Sequence, residues 1–196
     1  LKYVFITTSA NFGNMFSMAG ASLVADFLPM LPMQILLLNV LSDLPAMAIA
    51  SDSLDEELVA RPRRWNVRAI GRFMTTFGLI SSAFDFLTFL TLLALGTSAA
   101  LFRAGWFEES LLSELLILLV IRTHRPFFRS RPGRWLLAAS IAVAAVSVAL
   151  PYLPFADGLG FAPLPVALWG VITLILAGYV LASETAKRIF FRRVEL

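Results

Sequence analysis

The stretch NVLSDLPAMAIASD, residues 39–52, places polar side chains at helical spacing inside an otherwise apolar run. Positions i, i+3 and i+4 of a helix lie on one face. Asn39, Ser42 and Asp43 therefore present an amide oxygen, a hydroxyl and a carboxylate to the same neighbour. An unpaired carboxylate at membrane depth costs about 2.5–3.5 kcal/mol, so this face is expected to meet a cation, a hydrogen-bond donor or a proton.

The proline of the same stretch adds a further oxygen. Pro45 has no N–H, so it cannot bond the carbonyl of Leu41, and we expect a break in the helix at this point. Freed backbone at membrane depth is tolerated where it lines a cavity or coordinates an ion. The side chains and the Leu41 carbonyl together predict an oxygen-rich pocket suited to a hard cation.

The composition of the whole chain is that of a membrane protein. Hydrophobic residues make up 59% of its 196 residues and charged residues 15%, whereas soluble domains average about 45–50% and about 25%. The absence of cysteine and the single histidine exclude disulfides and metal sites built from Cys or clustered His. We attribute the net charge of +3 to topological anchoring and expect no nucleic acid partner.

Six segments approach the length of about 20 apolar residues that a helix needs to cross a bilayer. The chain is therefore predicted to be all-α, a polytopic bundle of six transmembrane helices. The segments are residues 3–25, 28–50, 70–95, 106–121, 135–153 and 164–182. We divide the chain into an ion-site helix pair at 1–50, a cytosolic loop at 51–69 and four supporting helices at 70–196.

The basic residues predict the orientation of the bundle. Lys and Arg favour cytoplasmic loops, and six crossings place every basic residue except Arg103 on one side. The fourth segment is short and acidic, but removing it would put the arginines of residues 122–134 on the outside. We therefore expect a multi-pass protein of the cell membrane with both termini in the cytosol.

Polar residues elsewhere in the apolar segments are candidate partners of the first stretch. Asn11 and Asn14 share a face of the first helix, and Glu114 lies within the fourth. The two asparagines could equally serve as interhelical hydrogen-bond partners. Asp85 is predicted to be a structural hydrogen-bond partner rather than a ligand, and the pair at 108–109, Glu-Glu, is expected to be solvated at the outer interface.

Several motifs resemble one family. NVLSDLP resembles the sixth transmembrane helix of P-type cation ATPases, where Asn, a hydroxyl residue and Asp at this spacing, followed by Pro, form the centre of the ion site. SANFGNMFS resembles the preceding helix. The stretches LVARPRRWNVRAIGRFM, SSAFDFLTF, GWFEESLLSELLILLVIRTHRPFF and PLP resemble the magnesium-transporting branch in particular. The resemblance spans nearly the whole chain and implies helices five to ten of a ten-helix pump.

The resemblance also implies a ligand set and an ion. The implied ligands are Asn39, Ser42, Asp43, Asn11, Asn14 and Glu114. Calcium pumps of the family carry a carboxylate where this chain has Asn14, so magnesium is the expected cargo and calcium the alternative. No residue of the chain is expected to be catalytic or to hold a cofactor.

The family's phosphorylation motif is absent from the sequence, as are its actuator and nucleotide domains and its first four helices. ATP and its magnesium would therefore act only through those missing parts, which are the expected partners together with the lipid bilayer. The chain starts at Leu1, and we expect a fragment of a longer polypeptide. Two other functions stay open: a stand-alone six-helix channel or secondary transporter, and a regulatory subunit without ATPase activity.

Overall fold

The computed structural model describes residues 2–49, 52, 67–123 and 125–193, and these form a helical bundle without strands. Within these residues, six α-helices follow one another. They are α1 (Lys2–Val24), α2 (Pro32–Ala48), α3 (Val67–Ala94), α4 (Ala99–Ile121), α5 (Arg134–Ala149) and α6 (Val166–Arg193). Short 3₁₀ turns lie at Phe127–Arg129, Leu150–Tyr152 and Asp157–Leu159. The all-α prediction is confirmed; most of the predicted loop at 51–69 lies outside the described residues.

Two expectations about the helices are corrected. Helix α4 begins at Ala99, seven residues before the predicted segment, because Gly96 turns the chain with a φ of 64° and the Ser98 side chain accepts a hydrogen bond from the N–H of Leu101. A hydropathy reading missed this start because Arg103 interrupts the apolar run. Helix α2 also continues past Pro45 to Ala48, so the proline removes one hydrogen bond without ending the helix.

Helices α1 and α3 form the most extensive helix pair of the bundle. Gly13 of α1 lies against Gly78 of α3, and the Ser82 hydroxyl donates to the Gly13 carbonyl at 3.1 Å. A Cβ on Gly13 would lie 3.2 Å from the Gly78 carbonyl oxygen. Small residues thus let the two backbones approach, as they do in other membrane helix pairs.

Helix α4 occupies the centre of the bundle and contacts all five other helices. Every residue from Ala104 to Leu111 is buried. Its apolar side chains belong to two clusters, one built around Trp106 and Phe107 and the other around Ile117 and Ile121. The polar groups between Ala104 and Leu111 are therefore surrounded by protein.

Three of the described helices are long and apolar enough to cross a membrane by length and composition. They are α3 (Val67–Ala94), α5 together with the 3₁₀ turn that follows it (Arg134–Tyr152), and α6 as far as Arg192 (Val166–Arg192). Helix α2 is apolar but shorter, at 17 residues. Helices α1, α2 and α4, which are not among these three, carry the asparagines and glutamates singled out in the sequence.

Candidate cation site

A partly open cavity of about 210 Å³ lies where α1, α2 and α4 meet. Its polar wall comes from all three helices and contains five of the predicted ligands. They are Asn11, Asn39, Ser42, Asp43 and Glu114. The rest of the wall is largely apolar, with Tyr3 and Thr7 on the α1 side. The polar residues of three segments distant in sequence thus meet at one cavity.

Asn14 lies beside this cavity and connects α1 to α4. Its Nδ2 donates to Oε1 of Glu114 at 2.5 Å, and its Oδ1 accepts from the Ser110 hydroxyl at 3.2 Å. Both ends of the amide are therefore used by α4. Asn14 does not line the cavity, and in this arrangement it orients Glu114 towards it.

The α2 side of the cavity follows the helical spacing of its three polar residues. Asn39 is exposed, whereas Ser42 and Asp43 are partly buried. The Ser42 hydroxyl donates to the Asn39 carbonyl at 3.3 Å and lies within hydrogen-bonding reach of Glu114. Leu41 is partly buried and does not line the cavity, so its free carbonyl remains a predicted ligand only.

A second buried carboxyl group lies deeper in the bundle and accepts hydrogen bonds from protein donors. Asp85 of α3 is 1% exposed, and it accepts from the Ser17 hydroxyl at 2.6 Å and from the Trp106 indole N–H at 3.0 Å. Each of its two oxygens thus accepts a hydrogen bond from a neighbouring helix. The placement agrees with the prediction that Asp85 is a structural hydrogen-bond partner.

The expectation that Glu108 and Glu109 are solvated is wrong. Their side chains are 0% and 1% exposed, because the early start of α4 carries both of them into the centre of the bundle. Glu108 accepts a short hydrogen bond from Ser147 of α5, and Glu109 lies beside Asp85. These glutamates therefore connect helices within the protein.

Ser110 is a polar residue beside the cavity that the sequence did not single out. It precedes Glu114 by one helical turn, so the i, i+4 spacing of two polar residues in an apolar helix was an available signal. Within the described ranges, no group of three or more His, Asp or Glu residues is placed to hold a metal ion. A cation in this cavity would therefore meet two carboxylates and neutral oxygens.

The comparisons with known proteins agree with this architecture. A family described as "Cation transporting ATPase, C-terminus" matches residues 27–189. Magnesium-transporting ATPase, P-type 1, of Salmonella typhimurium LT2 is 42% identical over 98% of this chain, and its Escherichia coli K12 counterpart is 41% identical over the same share. A further Salmonella typhimurium LT2 protein of that name is 35% identical.

The chain spans 22% of the length of each of these relatives. The family match covers five of the six helices, and the relatives align along nearly all of the chain, including α1. The chain therefore belongs to the cation-transporting P-type ATPases, as part of their C-terminal membrane region.

Proposed function

We propose that the chain forms the cation-binding membrane part of an ATP-driven pump that carries magnesium. The observation that supports this most directly is the cavity bounded by Asp43 and Glu114, two carboxylates from different helices. Asn11, Asn39 and Ser42 add neutral oxygens to the same wall. Hard divalent cations prefer oxygen ligands of this kind, and two carboxylates neutralise one such ion.

The number of carboxylates favours magnesium over calcium. Calcium takes about 6–8 oxygens, often including bidentate carboxylates, whereas magnesium keeps several of its waters and needs one or two carboxylates. A cavity of about 210 Å³ has room for the ion with several waters, since one water occupies about 30 Å³ in the liquid. Position 14 carries an amide, which donates to Glu114, and therefore adds no third carboxylate.

The rest of the pump supplies the energy in this proposal. Phosphorylation and nucleotide domains outside the chain would shift the bundle between two states that differ in affinity for the ion. The chain's own contribution is to bind the cation at Asp43 and Glu114 and to hold these groups in different positions in the two states. The loop at 51–69 and both termini lie on the cytosolic side in this arrangement.

The central experiment is magnesium transport into vesicles that contain the full-length pump. We expect Asp43→Asn to abolish ATP-dependent magnesium transport, because the change keeps the shape of the side chain and removes the charge that opposes the cation. Asp157→Asn, in an exposed turn away from the cavity, is the matched control and should transport normally. Transport by Asp43→Asn at the wild-type rate would remove this residue from the site.

Parallel measurements separate the alternatives. Because ATP itself requires magnesium, ion-dependent dephosphorylation and labelled-ion uptake must be read together. Tight stimulation by calcium with no magnesium movement would assign calcium as the cargo. Magnesium flux that needs no ATP would instead indicate a channel or secondary transporter.

A further inference from the structure

A buried ion pair joins the segment that follows α2 to the end of α4. Asp52 comes four residues after the last residue of α2, and its carboxylate lies 3.3 Å from a terminal nitrogen of Arg122, which follows α4 directly. Both side chains are 1% exposed. A buried charge that loses its partner is strongly destabilising, so we expect the pair to remain closed.

Backbone groups of residues 130, 131 and 133 add hydrogen bonds to both charges. Gly133 donates its N–H to Asp52 Oδ1 at 2.7 Å. Arg122 donates to the carbonyl of Arg131 at 3.2 Å and to the carbonyl of Ser130. We call Asp52, Arg122 and Gly133 the clasp. It fixes the segment after α2 against the N-terminus of α5 as well as the end of α4.

A neighbouring lysine holds the same end of α4 against α6. Lys187 is fully buried, and its Nζ donates to the carbonyls of Val120 and Arg125 at 2.9 Å each. The end of α4 is thus fixed independently of α2. Arg122, and with it Asp52, is therefore held in place by contacts that do not involve α2.

The two helices joined by the clasp are those that carry the two carboxylates of the cavity. Arg122 follows Glu114 by eight residues, about 12 Å along the helix at 1.5 Å per residue. Asp52 follows Asp43 by nine residues. The relative position of the two helix ends consequently influences the separation of the two carboxylates.

We infer that Asp52 and Arg122 are positioning residues of the cation site, which set the distance between Asp43 and Glu114 by holding the ends of α2 and α4 together. This inference rests on the proposed function of the cavity. The clasp itself does not touch the cation. Its loss is expected to weaken cation binding more than it slows the turnover of the saturated pump.

The first test is Asp52→Asn in the full-length pump. The substitution keeps an acceptor for Gly133 and removes the charge opposite Arg122. We expect the magnesium concentration for half-maximal transport to rise about tenfold, within the usual range for coupling between linked sites. The maximal rate should change less. Direct binding of labelled magnesium to the purified pump should weaken by the same factor.

A double-mutant cycle tests whether the pair acts as a unit. Arg122→Gln should weaken binding at least as much as Asp52→Asn, since it also loses the bonds to Ser130 and Arg131. The double variant should be no weaker than Arg122→Gln alone, because residues in one network are not additive. Additive losses would show that the two residues act separately and would overturn the inference.

A second variant avoids any change of charge, in case a buried unpaired Arg122 prevents folding. Gly133→Pro removes the N–H that reaches Asp52 and adds the proline ring, and the φ of −57° at this position is one that proline adopts. Gly133→Ala is the matched control, because it adds a Cβ and keeps the N–H. We expect a weaker apparent magnesium affinity for the proline variant than for the alanine variant, and equal affinities would contradict the inference.

An ion pair on α6 whose arginine is exposed controls for the general loss of a salt bridge. Arg188 lies 3.3 Å from Glu184, at the same distance as the clasp pair, but it is 54% exposed. Arg188→Gln should leave the apparent magnesium affinity unchanged. If the wild type transports magnesium and Asp52→Asn has wild-type affinity, the inference fails while the proposed function stands. If the wild type transports no magnesium, the proposed function itself fails.

Discussion

Asn14 can serve the proposed cation site without facing the cavity. It donates to Glu114 with one end and accepts from Ser110 with the other, so both hydrogen bonds run from α1 to α4. A carboxylate at the same position would repel Glu114 unless a cation lay between them. The asparagine therefore holds the glutamate in place without adding a second negative charge.

Replacing Asn14 by Leu tests this role. The change keeps a similar volume and removes both hydrogen bonds, leaving Glu114 and Ser110 without their partner. We expect the cation affinity to fall by about 1–3 kcal/mol, the typical penalty for an unsatisfied buried polar group. Magnesium binding to the purified pump measures the effect.

Two serine variants are compared with Asn14→Leu in that measurement, Ser110→Ala and the control Ser22→Ala. Ser110→Ala removes only the bond to the Asn14 oxygen and should have a smaller effect. Ser22 is on the same helix as Asn14, but its hydroxyl bonds the carbonyl of Met18 within α1, so Ser22→Ala should bind normally. An Asn14→Leu pump with wild-type affinity would show that Glu114 needs no positioning by α1.

At the scale of residues, spacing predicted which side chains share a face but not what each of them contacts. Asn39, Ser42 and Asp43 line one cavity, as i, i+3 and i+4 positions should. The burial of Glu108 depends on Ser147, which is 39 residues away in the sequence. Such contacts depend on how helices pack, and no local pattern encodes them.

At the level of helices, the close α1–α3 contact depends on glycines, which have no side chain. A Cβ on Gly78 would lie 2.6 Å from a ring carbon of Phe12 and 3.1 Å from the Ser9 carbonyl oxygen. The second of these atoms is backbone and cannot move without shifting α1. Gly71, on the same helix, has no such neighbour within 4 Å.

The two glycines give a matched pair of substitutions. We expect Gly78→Ala to lower the free energy of unfolding by about 1–3 kcal/mol, as overpacking commonly does. Gly71→Ala should raise it by up to about 1 kcal/mol, because alanine is the better helix former. Thermal unfolding of the detergent-solubilised protein measures both. Equal shifts for the two variants would mean that α1 and α3 are not in close contact.

The lengths of the apolar segments predicted the presence of the helices better than they predicted where each helix ends. Helices α1 and α3 agree with the expected segments to within three residues at each end. Helix α6 continues to Arg193, well beyond the apolar run, since a buried Lys187 bonded to two carbonyls extends it into polar sequence. Where a helix ends in this bundle is decided by tertiary contacts that hydropathy does not describe.

At the scale of the whole molecule, the distribution of basic residues predicts which ends of the helices share a side of the membrane. We expect a cysteine at Arg129 to be labelled only from the cytosol and one at Gly158 only from outside. Both positions are exposed in the structure. The chain has no native cysteine, so each introduced thiol reports on one position.

Labelling by a membrane-impermeant maleimide in intact cells, before and after permeabilisation, separates the two outcomes. Reaction of the Arg129→Cys variant in intact cells would contradict the six-crossing arrangement with cytosolic termini. Reaction of neither variant, even after permeabilisation, would show that these turns are covered by other parts of the pump.

Helix α2 is attached firmly at both of its ends. Near its start, the buried Gln34 accepts from the Leu31 N–H at 2.9 Å and donates to the Leu159 carbonyl at 3.0 Å, and beyond its end Asp52 is held by the clasp. Between these supports, Pro45 leaves one hydrogen bond of the helix unmade. A beam supported at both ends bends most readily at its weakest section, and here that section, from the Leu41 carbonyl to Pro45, contains Asp43. A force applied to either end of α2 would therefore appear as bending beside the candidate cation cavity, with little sliding of the helix as a whole.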